Sequence, residues 1–270
     1  MPELPEVETT RRGLLPLVNQ RVSAVTVRNH SLRWPVPANL PELLTGQNFL
    51  ELSRRAKYIL VRCESGTLML HLGMSGRLSL LPQHETPAKH DHLDVVFESG
   101  NVMRLRDPRR FGAVLWLEGD AMQHKLLQSL GVEPLELGFD GDYLYTQTRS
   151  RSAAIKIVIM DSHLVVGVGN IYASESLFRA GISPKTAANK VSRARCQRLV
   201  EEIKATLAAA IEAGGSSLRD FFGADGNPGY FQQEYFVYGR TGEPCKVCGG
   251  AIKSLKQGQR STFYCSQCQR

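Results

Sequence analysis

The sequence predicts an α+β protein: an amino-terminal β-sandwich with flanking helices, then a helical domain that ends in a cysteine-bearing β-hairpin. Three observations carry this. Short apolar–polar alternations separated by turn residues recur between residues 21 and 117, the pattern of a sandwich or barrel. Beyond residue 149 the apolar period becomes helical. Two Cys-x-x-Cys pairs close the chain, Cys245/Cys248 and Cys265/Cys268.

A chain of 270 residues suffices for two ordinary domains and a sizeable core. Its net charge of +7 and pI of about 9.2 suit a polyanionic partner, although solubility alone would account for them. No apolar run approaches the roughly 18 residues needed to cross a bilayer. Acids and prolines at the start exclude a secretory signal. The expectation is a soluble, cytoplasmic protein, and a reducing compartment argues against structural disulfides.

The first helix starts almost at once, in Pro2-Glu3-Leu4-Pro5-Glu6-Val7-Glu8-Thr9, and should end near Gly13 or Pro16. Pro5 starts a helix well, and Glu6 and Glu8 suit its first turn. With Met1 removed, Pro2 is also a terminal secondary amine. An α-amino group has a pKa near 7.7–8.0 against about 10.4 for lysine, so roughly one in ten is neutral at pH 7. Neutral amines attack electrophilic carbon, and the adduct of a secondary amine is an iminium with a fixed positive charge.

Strands follow over Arg21–Arg28, Lys57–Cys63, Thr67–Leu72, Leu93–Phe97, Val102–Arg106 and Ala113–Leu117. Three features interrupt them. Arg54-Arg55-Ala56-Lys57 reads as a basic cluster entering a strand, or as a plain charged strand end. Gly73-Met74-Ser75-Gly76 puts one large apolar side chain in a tight turn. Met74 there is either a gap-filler of the core or a wedge between base pairs. Pro108 leaves Arg109, Arg110 and Phe111 in a loop suited to phosphate contact and base stacking, unless Phe111 folds inward. Cys63 reads as a small core residue, and Cys196 lies in a helical pattern.

Gly131, Pro134, Gly138 and Gly141 mark the domain boundary. The expected organisation is a sandwich over 1–130, a linker over 131–148, a helical domain over 149–235 and the hairpin over 236–270. Helices are expected over Ala153–Met160, Asn170–Ala180 and Val191–Ala213, the last stopped by Gly214-Gly215. Gly167-x-Gly169 fails as a dinucleotide fingerprint, because Tyr172 stands where glycine or alanine belongs. It reads instead as a glycine turn aiming N–H groups at a phosphate, with Asn170 capping the next helix. Gly223–Phe231 is too glycine-rich for an element and reads as a mobile loop.

The cysteine pairs, sixteen residues apart, carry the strongest motif. Four thiolates so spaced suit one tetrahedral, structural Zn2+. Ala251–Leu255 and Ser261–Tyr264 should form hairpin arms around Lys256–Arg260.

From Pro2 to Cys268 these motifs together resemble the bacterial formamidopyrimidine-DNA glycosylases. The resemblance implies a monomer acting on damaged double-stranded DNA, excising oxidised purines and cutting the strand by β,δ-elimination. It implies a helix–two-turns–helix in the second domain and DNA in a cleft. Pro2 becomes the nucleophile, Glu3 the proton donor to the sugar ring and Glu6 a supporting carboxylate. Lys57 acts near sugar and phosphate. Met74, Arg109 and Phe111 fill the space left by a flipped base. His90, Arg151 and Asn170 contact DNA, Arg260 binds a phosphate and aids the second elimination, and residues 223–231 cover the extruded base. Two alternatives remain: an endonuclease VIII-like enzyme for oxidised pyrimidines, and a non-catalytic zinc-ribbon DNA-binding protein.

Overall fold

The computed structural model describes residues 2–83, 85–214 and 235–270. The expected loop over Gly223–Phe231 lies outside them. The described chain forms two compact units, the first of residues up to Gln128 together with those from Ile211 on at the end of the long helix, the second of Ser129–Ala210 and the residues from 235 to Arg270.

The first unit opens with helix α1 (Leu4–Gly13). A capping box starts it: the Glu6 carboxylate accepts the Glu3 N–H at 2.8 Å, and the Glu3 carboxylate accepts in return from the Glu6 N–H. Arg11 and Arg12 in the last turn favour the negative end of the helix dipole. Two antiparallel four-stranded sheets follow. One is ordered β1 (Val22–Val27), β6 (Asp91–Phe97), β7 (Asn101–Arg106), β5 (Arg77–Pro82). The other is ordered β2 (Glu51–Arg55), β3 (Tyr58–Arg62), β4 (Thr67–His71), β8 (Ala113–Leu117). Alternate residues of both sheets, such as Leu78, Val95 and Leu105 against Ile59, Leu70 and Val114, share one core. Val7 of α1 and Leu40 and Leu44 of the short helix α2 (Leu40–Leu44) complete it.

Several elements differ from expectation, among them β5, which has no counterpart in the expected strands. Arg54 and Arg55 end β2 instead of entering a strand, because Ala56 and Lys57 form a two-residue hairpin turn. α2 is a single short turn of helix and β2 buries only Leu52, so neither carries a legible period. The stretch read as linker holds α3 (Gly141–Thr148), capped by the Asp140 carboxylate on the Tyr143 N–H at 2.7 Å. Two of its glycines, Gly131 and Gly141, are packing glycines. A Cβ on Gly141 would stand 2.2 Å from Gln197 Oε1, and one on Gly131 would stand 2.3 Å from the Leu164 carbonyl oxygen.

The second unit continues with α4 (Ile155–Ile159), α5 (Asn170–Arg179), the long α6 (Arg193–Glu212) and a hairpin of β9 (Lys253–Gln257) and β10 (Arg260–Tyr264). Residues 160–169 join α4 to α5 through a turn at Asp161–Leu164 and a second at Gly167, whose φ is +79°. The hairpin turns on Gly258 and Gln259 alone, at φ +53° and +61°, so Lys256 and Arg260 are strand residues. No helix among the described residues is long and apolar enough to cross a membrane.

Candidate functional site

In the first unit the expected residues fall into two groups. Pro2 is half-buried directly ahead of Glu3 and Glu6, which are 2 % and 0 % exposed. Arg54 binds Glu8 of α1 at 3.3 Å and, at 2.8 Å, the carbonyl of Ala56, which ties the β2–β3 turn to α1. Lys57 sits in that turn beside Ala56, whose φ of +53° stores backbone strain. Across the hairpin Tyr58 pairs with His71, ring centroids 4.8 Å apart. Burial first, then the charges of Lys57 and Arg33, push the His71 pKa down to about 4. Its Nδ1 accepts the Gly73 N–H at 3.0 Å, so the neutral ring carries its proton on Nε2.

The second group is held by Asp107, which is fully buried. One carboxylate oxygen accepts the Ser75 hydroxyl and the other the Gly112 N–H, both at 2.7 Å. Its backbone N–H donates to the His90 carbonyl and its carbonyl bonds the His92 ring. Gly73, at φ +60°, brings the Met74 turn so close that a Cβ would stand 2.3 Å from the Phe111 carbonyl carbon. Met74, His90, Arg109 and Phe111 are thereby gathered. Phe111 is 44 % exposed and not folded inward. Arg109 stacks on it, guanidinium to ring centroid 4.9 Å, and Arg110 at φ +58° separates the two.

In the second unit Arg151 and Arg260 line one cavity of about 640 Å³ with Ser150, Ser152 and Gly258. Arg151 is ion-paired with Asp161 at 2.9 Å. Asn170 does not cap α5. Gly169 takes that position, and the Asn170 amide instead donates to the Ser261 carbonyl at 2.9 Å and accepts from Lys156 Nζ at 2.6 Å. Lys156 is fully buried and also donates to Thr262 Oγ1 at 2.7 Å, joining α4, α5 and β10. Sequence reasoning missed Lys156, His71 and Asp107; Lys156 meets Thr262 106 residues on and Asp107 meets Ser75 32 residues back, whereas His71 gave no motif beyond its strand position.

The four cysteine sulfurs lie within 4.8 Å of one another, with Cys245–Cys268 at 3.9 Å and Cys248–Cys265 at 3.4 Å. A tetrahedron with Zn–S of about 2.3 Å has edges near 3.8 Å, so the set fits. These residues hold one structural zinc. Gln269 fastens the knuckle, accepting the Cys265 N–H at 2.9 Å and donating to the Ile182 carbonyl at 2.8 Å. Glu175 of α5 accepts the N–H groups of Phe236, Val237 and Tyr238, which steady the chain leading into it. Cys248 is exposed, whereas Cys63 and Cys196 are buried.

Three families match this chain. The formamidopyrimidine-DNA glycosylase N-terminal domain covers residues 1–114, the formamidopyrimidine-DNA glycosylase H2TH domain covers 130–222, and the zinc finger found in FPG and IleRS covers 242–270. A protein of Methylobacillus flagellatus named formamidopyrimidine-DNA glycosylase is 63% identical over 100% of this chain and 97% of its own. One of Stutzerimonas stutzeri is 59% identical over 100% of both. The MutM (Fpg) protein of Thermus thermophilus has a TM-score of 0.87 at 37% identity, covering 99% of this chain and 98% of its own. Lactococcus lactis Fpg bound to abasic-site DNA reaches 0.91 at 33% identity over 100% of both chains.

Proposed function

The chain belongs to the formamidopyrimidine-DNA glycosylase family, and from that membership we propose a bifunctional DNA glycosylase and abasic-site lyase of base excision repair. Its substrate is double-stranded DNA carrying oxidised purines, and it works as a cytoplasmic monomer. The observation that carries the reading is the amino-terminal capping box. It holds two buried carboxylates, Glu3 and Glu6, immediately behind Pro2.

The Pro2 nitrogen, freed of Met1, bonds to C1′ of the flipped nucleotide as the C1′–base bond breaks and the base leaves with the electron pair. Glu3 gives a proton to the opening sugar ring, while Glu6 fixes the Glu3 backbone. The resulting iminium draws electrons from C2′, which loses a proton, and the 3′ phosphate departs. A second elimination releases the 5′ phosphate. Lys57 and Arg260 neutralise the departing phosphates. Met74, Arg109 and Phe111 occupy the gap in the stack, which offsets part of the few kcal/mol that flipping costs. His90, Arg151 and Asn170 hold the backbone. The zinc supplies folding energy.

Borohydride tests the reading on a duplex with 8-oxoguanine opposite cytosine. The processed chain should form a trapped covalent adduct, and Pro2→Gly or retention of Met1 should abolish it. An undiminished adduct with Met1 retained removes Pro2 as nucleophile. Preference for thymine glycol would favour the pyrimidine enzyme, and salt-sensitive binding without cleavage the non-catalytic one.

A further inference from the structure

The cavity of the second unit holds one acid. Of the described residues lining it, Arg151 and Arg260 bring positive charge and Ser150 and Ser152 bring hydroxyls, while Asp161 alone brings a carboxylate. In a phosphate site a carboxylate works against the ligand by like-charge repulsion. This one is nevertheless fixed in place. Its Oδ1 accepts the His163 N–H at 3.0 Å, and the Asp161 carbonyl accepts the Leu164 and Val165 N–H groups at 3.0 and 3.2 Å. The Tyr143 hydroxyl holds the same turn by donating to the Leu164 carbonyl at 2.8 Å. Burial raises the Asp161 carboxyl pKa, but the His163 N–H and the Arg151 guanidinium outweigh it and leave it below the ordinary range. Asp161 is therefore an anion.

Arg151 is gripped at three points and open on one side. Its N–H donates to the Thr148 carbonyl at 3.0 Å, its carbonyl accepts the Asn189 N–H at 2.9 Å, and its Nη1 donates to Asp161 Oδ2 at 2.9 Å. Nε and Nη2 make no hydrogen bond among the described residues. These two nitrogens form the edge of a guanidinium that meets two oxygens of one phosphate at once. The Arg151 and Asp161 side chains keep 35% and 31% of their exposure, so solvent screens the pair and it adds little to folding. What it adds is order. A long arginine side chain has much rotamer freedom to lose on binding, and a partner that fixes it beforehand takes that cost out of the binding step.

We propose that Asp161 is a positioning residue, which holds Arg151 by Nη1 so that the Nε–Nη2 edge meets a phosphate of the DNA backbone already ordered. Asp161 itself touches no DNA and acts through Arg151. The proposal rests on the glycosylase reading, which assigns Arg151 to DNA, and deepens it. Residues 160–169 join α4 to α5, so the turn that leads to Asn170 also sets the direction of Arg151.

The test is a double-mutant cycle on the full-length, zinc-loaded protein, with dissociation constants for a lesion-bearing duplex measured at about 100 mM NaCl. Asp161→Ala weakens binding about 3- to 10-fold, the cost of ordering one long side chain. Asp161→Asn keeps an oxygen acceptor without the charge and loses less. In an Arg151→Ala background, itself weaker than the parent, neither change weakens binding further. An equal loss in both backgrounds would mean that Asp161 acts through its turn and not through Arg151, and would overturn the proposal. So would Asp161→Ala binding as tightly as the parent or more tightly, since the carboxylate would then order nothing or compete with the phosphate. Parent affinity in Arg151→Ala would overturn it as well. Where Asp161→Ala fails to fold, Asp161→Asn carries the same comparison. The borohydride adduct judges the glycosylase reading separately: a parent protein that binds DNA without forming the adduct counts against that reading and leaves the result of the cycle standing.

Discussion

The Ser75 hydroxyl donates to Asp107 at 2.7 Å and accepts the Arg109 N–H at 3.1 Å, so one serine latches the Met74 turn to the Arg109–Phe111 loop. Asp107→Ala leaves Ser75 and the Gly112 N–H without their buried acceptor. It should cost about 2–4 kcal/mol in urea unfolding. Ser75→Ala should cost about 1 kcal/mol in stability. It should also lower excision of 8-oxoguanine more than cleavage of a ready-made abasic site, because an abasic site demands less of the space-filling side chains.

Lys156→Met removes a buried ammonium and strands Asn170 Oδ1 and the Thr262 hydroxyl. The expected loss is about 2–4 kcal/mol of stability, with DNA affinity falling further than one lost surface charge explains. Lys156→Arg should not rescue it, since a fully buried site has no room for the larger planar group. Equal DNA affinity in parent and Lys156→Met would show that the α4–α5–β10 junction carries no binding.

Stripping zinc should release the hairpin and the apolar cluster of Phe178, Val237, Ile252 and Cys265 around it. DNA binding should be lost and return when one equivalent of Zn2+ is restored, as followed by circular dichroism and metal titration. Cys265→Ser should behave like the stripped protein.

His71 gives a pH signature. Its folded pKa of about 4 lies below the ordinary value of 6.5, so the unfolded chain binds more protons between those values. The contribution of the neutral ring is therefore complete above about pH 6.5 and is lost as pH falls toward 4. Its size is at most about 3 kcal/mol. His71→Gln should flatten the stability curve through that window relative to the parent, read from urea midpoints at several pH values.

Strands with a core-facing alternation were legible, and β8 matches its expected bounds. β2 buries only Leu52 among its five residues, so it offers no alternation to read. Gly131 and Gly141 read as linker residues because sequence does not distinguish a flexible glycine from one against which another segment packs. The same limit applies to the site. The cysteines announce their chemistry by type and spacing. Asp107 and Lys156 look ordinary until folding delivers their partners, and Thr262 lies 106 residues beyond Lys156. Asn170 reads as a helix cap in the sequence, but that position goes to Gly169, while Lys156 and Ser261 hold its side chain.

The distribution of the thiols has a consequence for a protein whose substrates arise under oxidative stress. Burial pushes the Cys63 thiol up to about 12, and Cys196 is raised in the same way, so peroxide finds almost no thiolate at either. Cys248 faces solvent and is shielded only while its sulfur is bound to metal. Peroxide inactivation should therefore track zinc release and spare the sandwich, and early in the damage thiol reductant plus zinc should restore activity.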